Sequence, residues 1–100
     1  MTSSKQKIID DFKSYMNDQG GSYSKWYVGI SKDAKKRLFD DHNVSEKAGS
    51  WIYDQATSSS IAREIEDYFV NTLGTDGGTG GGDYTSDMVY AYKKTSYTSP

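Results

Sequence analysis

Lys25-Trp26-Tyr27-Val28-Gly29-Ile30 is the stretch on which the reading of the fold turns. It is dense in strand formers, and its length and composition predict a buried β-strand. Gly29 interrupts that composition. A glycine inside a strand signals a bulge or the close approach of another group.

Working outward, the chain alternates between helical and strand patterns. Upstream, Ser3 or Ser4 can cap a helix running to about Asp18. Ile8, Phe12, Tyr15 and Met16 form its apolar stripe, and Gly20-Gly21 ends it. Downstream, Ser31 or Asp33 starts a second helix from Ala34 to about Asp41, with Ala34 and Leu38 inward. His42 to Gly49 reads as a loop, and Ser50 to Ala56 as a second strand carrying Trp51, Ile52 and Tyr53. Ser58 to Ser60 offer N-cap oxygens for a third helix from Ile61 to about Leu73, with Ala62, Ile65, Phe69 and Leu73 on one face. Gly74 suits the position just past its end. A glycine-rich loop follows over 74–83, then a strand within 84–94 (Met88 to Lys94), then a frayed tail over 95–100. The expected architecture is a single α/β domain over 1–100. Its N-terminal helix lies in 1–20 and its core in 25–73, with helices packed on a small, mixed, three-stranded sheet.

The chain has 100 residues, a formal charge of −2 and no cysteine. The length fits one domain. So modest a core is marginally stable alone or is helped by self-association, so a homo-oligomer is among the expected states. The absence of cysteine excludes a disulfide framework and thiolate metal sites. Nine tyrosines place many polar ring tips at a surface or cleft. The pI near 5.2 is not the global footprint of a duplex-binding protein, so any nucleic-acid contact must rely on a local basic patch or a metal ion. Met1-Thr-Ser-Ser-Lys5 carries no apolar signal region, and nothing approaches a membrane span. A cytoplasmic location with no membrane partner is the expectation.

Few residues can carry chemistry. Glu66 falls on or beside the apolar face of the third helix, where a carboxylate must be paired, protonated or metal-bound. Pairing with Arg63 is the plain alternative. Lys32, Lys35, Lys36 and Arg37 form the densest basic cluster, able to hold phosphate; the plain alternative is an Arg37–Asp41 pair one helical turn apart. His42, the single histidine, suits a helix C-terminus by the dipole alone. The glycine loop lacks Gly-Lys-Ser/Thr and leads into a strand, so it is neither a P-loop nor a dinucleotide turn. No Ser-His-Asp, CxxC or HExxH pattern appears.

In order, these residues resemble the core of the GIY-YIG nuclease superfamily. Trp26-Tyr27-Val28-Gly29-Ile30-Ser31 is similar to the "YIG" half of its signature. Arg37 falls eight residues after Gly29, where the family places its arginine, and His42 follows it. Ser60 to Glu66 resembles the family's glutamate helix. The likeness covers Lys25 to Leu73, about half the chain. The "GIY" half is not recognisable ahead of Tyr27, where Tyr15 and Tyr23 are the tyrosines available. The resemblance implies a divalent-metal-dependent nuclease or phosphodiesterase acting on nucleic acid or a nucleotide. Glu66 would hold magnesium or manganese, and Arg37 the phosphate. Tyr27 and His42 would activate water or position substrate, with Lys25, Gly29, Lys32 and Lys36 on the substrate side. The alternative is a non-catalytic module that uses the same cleft to bind nucleic acid, a nucleotide or a protein, suited to phage–host conflict.

Overall fold

The computed structural model describes residues 2–77 and 85–99. Helix α1 (Lys5–Gln19) is capped by Ser4, whose hydroxyl accepts the Lys7 N–H at 3.2 Å. A 3₁₀ turn (Tyr23–Lys25) leads into strand β1 (Trp26–Ser31). Helix α2 (Ala34–Lys36), capped by the Asp33 carboxylate, continues through a widened π-type turn (Arg37–Asp41). After β2 (Trp51–Gln55), helix α3 (Ser59–Asp67) starts on the Ser58 hydroxyl. It also widens over Tyr68–Leu73 and stops at Gly74, whose left-handed φ of 90° favours glycine. Two further strands follow, β3 (Asp76–Gly77) and β4 (Met88–Lys93).

The strands form one mixed sheet in the order β2-β4-β1-β3. β4 is antiparallel to both neighbours, and β3 is parallel to β1. The expected sheet had three strands; the fourth is β3, at the head of the glycine-rich segment. No alternation of apolar residues can reveal a two-residue Asp-Gly strand. Its glycine is nonetheless required, because a Cβ on Gly77 would stand 2.5 Å from Val70 Cγ2 and 2.8 Å from the Val28 carbonyl oxygen. The remainder of the expected loop, 78–83, lies outside the described residues, as does residue 84.

Strand periodicity sorts the side chains into two layers. Trp26, Val28 and Ile30 of β1 and Val89 and Ala91 of β4 pack with Ile8, Phe12 and Met16 of α1 and Ala62, Ile65 and Phe69 of α3. The opposite face carries Tyr27, Tyr90 and Tyr92, covered by Ala34, Leu38 and Val44. All of β1 is buried because both faces are covered. The segment expected to fray, 95–99, instead forms a turn. Thr98 N–H bonds the Thr95 carbonyl, and Ser99 N–H reaches the His42 carbonyl at 2.8 Å. No helix among the described residues is long and apolar enough to cross a membrane.

Candidate functional site

The tyrosine face is set by register. Tyr27 pairs across the sheet with Tyr92, which pairs with Trp51; one step along, Gly29 faces Tyr90, which faces Tyr53. Rings on one face of neighbouring strands meet. Tyr27 lies 5.2 Å from Tyr92 and 6.3 Å from Tyr90 between centroids, both nearly parallel. Gly29 has a specific reason to lack a side chain. A Cβ there would stand 2.5 Å from the Tyr90 hydroxyl and 2.6 Å from its Cζ. The close approach that a strand glycine signals is therefore made by Tyr90, from inside the protein.

The widened turn after α2 positions the next two groups. π-type turns recur at functional sites because the extra residue re-aims the side chains around it. Here Arg37 opens the turn, and the His42 N–H closes it on the Arg37 carbonyl at 2.9 Å. Asn43 follows with a positive φ of 57°, which asparagine tolerates better than most residues. His42 is consequently buried, not left at a solvated helix end. Its ring centroid is 4.7 Å from Tyr27. Nε2 sits 2.8 Å from the Tyr90 hydroxyl, and Nδ1 lies 2.7 Å from the Ser99 carbonyl and 3.2 Å from the Tyr92 hydroxyl. Burial lowers the histidine's pKa more than the Ser99 carbonyl raises it, so the ring is neutral at pH 7.

Arg37 forms the expected pair with Asp41, Nη1 to Oδ2 at 3.3 Å. It does more than that. Its guanidinium borders the Tyr90 oxygen, and this contact, above all others, raises the arginine's pKa. Its Nε is buried and meets no acceptor among the described residues. An orphaned buried donor costs about 1–3 kcal/mol. A cleft of about 250 Å³ opens beside it, bordered by Ser31, Lys32, Lys36, Arg37 and Ser86. Asp33 and Asp41 also line it and offset part of the positive charge.

Lys32 and Lys36 thus share a cleft with Arg37, but Lys25 does not. Lys25 precedes β1 whereas Lys32 follows it, and six strand residues span about 20 Å. Lys25 instead lines a separate hollow with Lys94, whose N–H bonds the Lys25 carbonyl at 2.8 Å. Strand direction therefore places Lys25 at the other end of β1 from the cleft that Lys32 and Lys36 line.

Glu66 is 4% exposed, on the turn of α3 between the buried Ala62 and Phe69. It makes no ion pair among the described residues, so the Arg63 alternative is not formed. Burial, then repulsion from Asp67, pushes its pKa up to about 7, with Arg63 pulling weakly the other way. Its charge is felt at Tyr90, whose pKa is pushed up to about 12, first by burial. Among the described residues no group of three or more His, Asp or Glu side chains is placed to share a metal ion. A single buried carboxylate without a protein cation still fits magnesium or manganese, which need only one or two carboxylates when phosphate and water complete the shell.

Tyr90 and Tyr92 are the residues that sequence reasoning missed. Their signal was present, because tyrosines two apart within Met88–Lys93 must share a strand face. What it lacked was an indication of which strand they would face. No protein-family model, no curated protein and no solved structure matches the chain.

Proposed function

We propose that this domain is a small phosphodiesterase acting on nucleic acid, of GIY-YIG type, with its two signature halves in exchanged order. The observation that carries this reading is that a buried cluster of Tyr27, Tyr90 and His42 abuts Arg37, which lines one cleft with Lys32 and Lys36. The tyrosine strand that the resemblance puts ahead of Tyr27 has a counterpart after α3. Met88, Val89 and Tyr90 pair antiparallel with Ser31, Ile30 and Gly29. In the exchanged order, Val89-Tyr90 stands for the missing half.

The chemistry follows from charge and reach. Arg37, which lines the cleft, holds the scissile phosphate with the exposed part of its guanidinium, and Lys32 and Lys36 hold flanking phosphates. Glu66 would hold the divalent cation, which when bound polarises a phosphoryl oxygen. Tyr27 stacks on Tyr90 from the β1 side, and Tyr90 presents its oxygen to Arg37. A phenol with a pKa of about 12 is a poor base by itself. The adjacent His42 Nε2 supplies a proton acceptor for it.

The test is cleavage of plasmid, single-stranded DNA and RNA with magnesium or manganese added. Glu66→Ala, Arg37→Ala and Tyr90→Phe should each lower the rate by two orders of magnitude or more. Cleavage that survives all three substitutions belongs to a contaminant and ends the enzyme reading. The second reading, a non-catalytic binding module, draws on the lack of a three-ligand metal cluster among the described residues. Binding without cleavage, abolished by Arg37→Ala, would establish it.

A further inference from the structure

We infer that the backbone of Ser99 is the positioning group of this site: its carbonyl fixes the tautomer of His42, so that Nε2 accepts the Tyr90 hydroxyl proton. The inference deepens the proposed phosphodiester chemistry and rests on it only for its catalytic consequence.

The argument is one of donors and acceptors. A carbonyl oxygen can only accept, so at 2.7 Å from Ser99 the His42 Nδ1 must carry a hydrogen. The ring is buried and neutral, so Nε2 carries none. At 2.8 Å from Nε2, the Tyr90 hydroxyl is therefore the donor. Free imidazole side chains in water prefer the opposite tautomer, with the hydrogen on Nε2. That form would set a ring N–H against Tyr90 and leave the Ser99 carbonyl facing a bare Nδ1.

Ser99 is itself held. Its N–H bonds the His42 carbonyl at 2.8 Å, closing a two-point clasp between residues 42 and 99. Asn43 Nδ2 bonds the Tyr97 carbonyl at 2.9 Å, and Thr98 Oγ1 ties the turn to the Thr95 carbonyl at 3.1 Å. Tyr92, whose hydroxyl lies within 3.5 Å of the same Ser99 oxygen, flanks the clasp from the sheet.

In the reaction, Tyr90 passes its hydroxyl proton to His42 Nε2 as it takes a proton from the attacking water. The water oxygen bonds to phosphorus, the ester oxygen leaves and takes a proton from solvent, and the imidazolium returns its proton to solvent. While charged, the imidazolium keeps its Nδ1–H on the Ser99 carbonyl. This is the arrangement of a base oriented by a third group, with a backbone carbonyl in the orienting role.

One histidine in the chain makes the tautomer directly readable by ¹⁵N NMR of the imidazole nitrogens in the full-length protein. At pH 8 the unmodified protein should show a protonated Nδ1 and a bare Nε2. Ser99→Pro removes the N–H of the clasp, and the ratio of the two tautomers should fall by roughly tenfold, the worth of one hydrogen bond. Ser99→Ala keeps both backbone groups and should leave the spectrum unchanged. An Nε2–H tautomer in the unmodified protein overturns the inference, as does a folded Ser99→Pro variant with unaltered shifts. Should Ser99→Pro fail to fold, Asn43→Ala loosens the same turn, and the unmodified spectrum decides by itself. Since none of these readouts needs cleavage, loss of the enzyme reading leaves them standing, and their failure leaves the cleavage assay standing.

Discussion

The Tyr90 hydroxyl occupies space that any side chain on Gly29 would need: a Cβ at residue 29 would stand 2.5 Å from that oxygen. Both residues sit on adjacent, directly paired strands buried on both faces, so neither backbone can withdraw. The two positions are therefore coupled, and substituting one must be felt at the other.

Gly29→Ala should cost about 1–3 kcal/mol by overpacking, lowering the melting temperature by roughly 4–8 °C for each kcal/mol. Combined with Tyr90→Ala, the loss should be less than additive by about 0.5 kcal/mol or more. Thermal melts of the two single variants and the double variant check this. Strict additivity would place the Tyr90 ring elsewhere.

Glu66 makes stability depend on pH in an unusual direction. Its folded pKa, about 7, lies above the ordinary carboxylate value of 4.5, so the folded state binds more protons between those limits. Stability should accordingly be full below about pH 4.5 and fall as pH rises through 7. Glu66→Gln removes this loss. At pH 8 it should be more stable than the unmodified protein by up to about 3 kcal/mol, and at pH 4 the two should be nearly equal. Urea titrations at both pH values check it, and an equal difference at both would show that Glu66 is not held in a desolvating site. Added magnesium should narrow the gap at pH 8 if the carboxylate takes the metal.

Arg37 and Lys25 separate a site from mere positive charge. Each substitution to alanine removes one positive charge, but only Arg37 lies at the cleft with Lys32 and Lys36. Arg37→Ala should weaken binding of a labelled oligonucleotide by roughly 10- to 100-fold, the worth of a charge-assisted hydrogen bond. Lys25→Ala should change it by less than about threefold. Fluorescence anisotropy at fixed salt measures both, and equal losses would mean that only net charge matters.

Much of this molecule is written locally. Ser4, Asp33 and Ser58 each accept a backbone N–H three residues on, so the helix starts follow from residue type and position. The stripes Ile8-Phe12-Met16 and Ala62-Ile65-Phe69 are buried because a helix repeats every 3.6 residues. The awkward place of Glu66 follows from the same period, and the glycine in β1 announced that something approaches closely.

What approaches could only be decided in three dimensions. Strand pairing joins residues far apart in the chain, so no local period says that Gly29 meets Tyr90 or that His42 meets Ser99. Strand direction sends Lys25 to the far end of β1, although the sequence sets it as close to Tyr27 as Gly29 is. The two residues of β3 join the sheet because Gly77 fits against Val28 and Val70, a constraint visible only once those neighbours are in place. The chain by itself determined the apolar stripes of its helices and where those helices begin; tertiary pairing decided which tyrosine the histidine and the arginine would share.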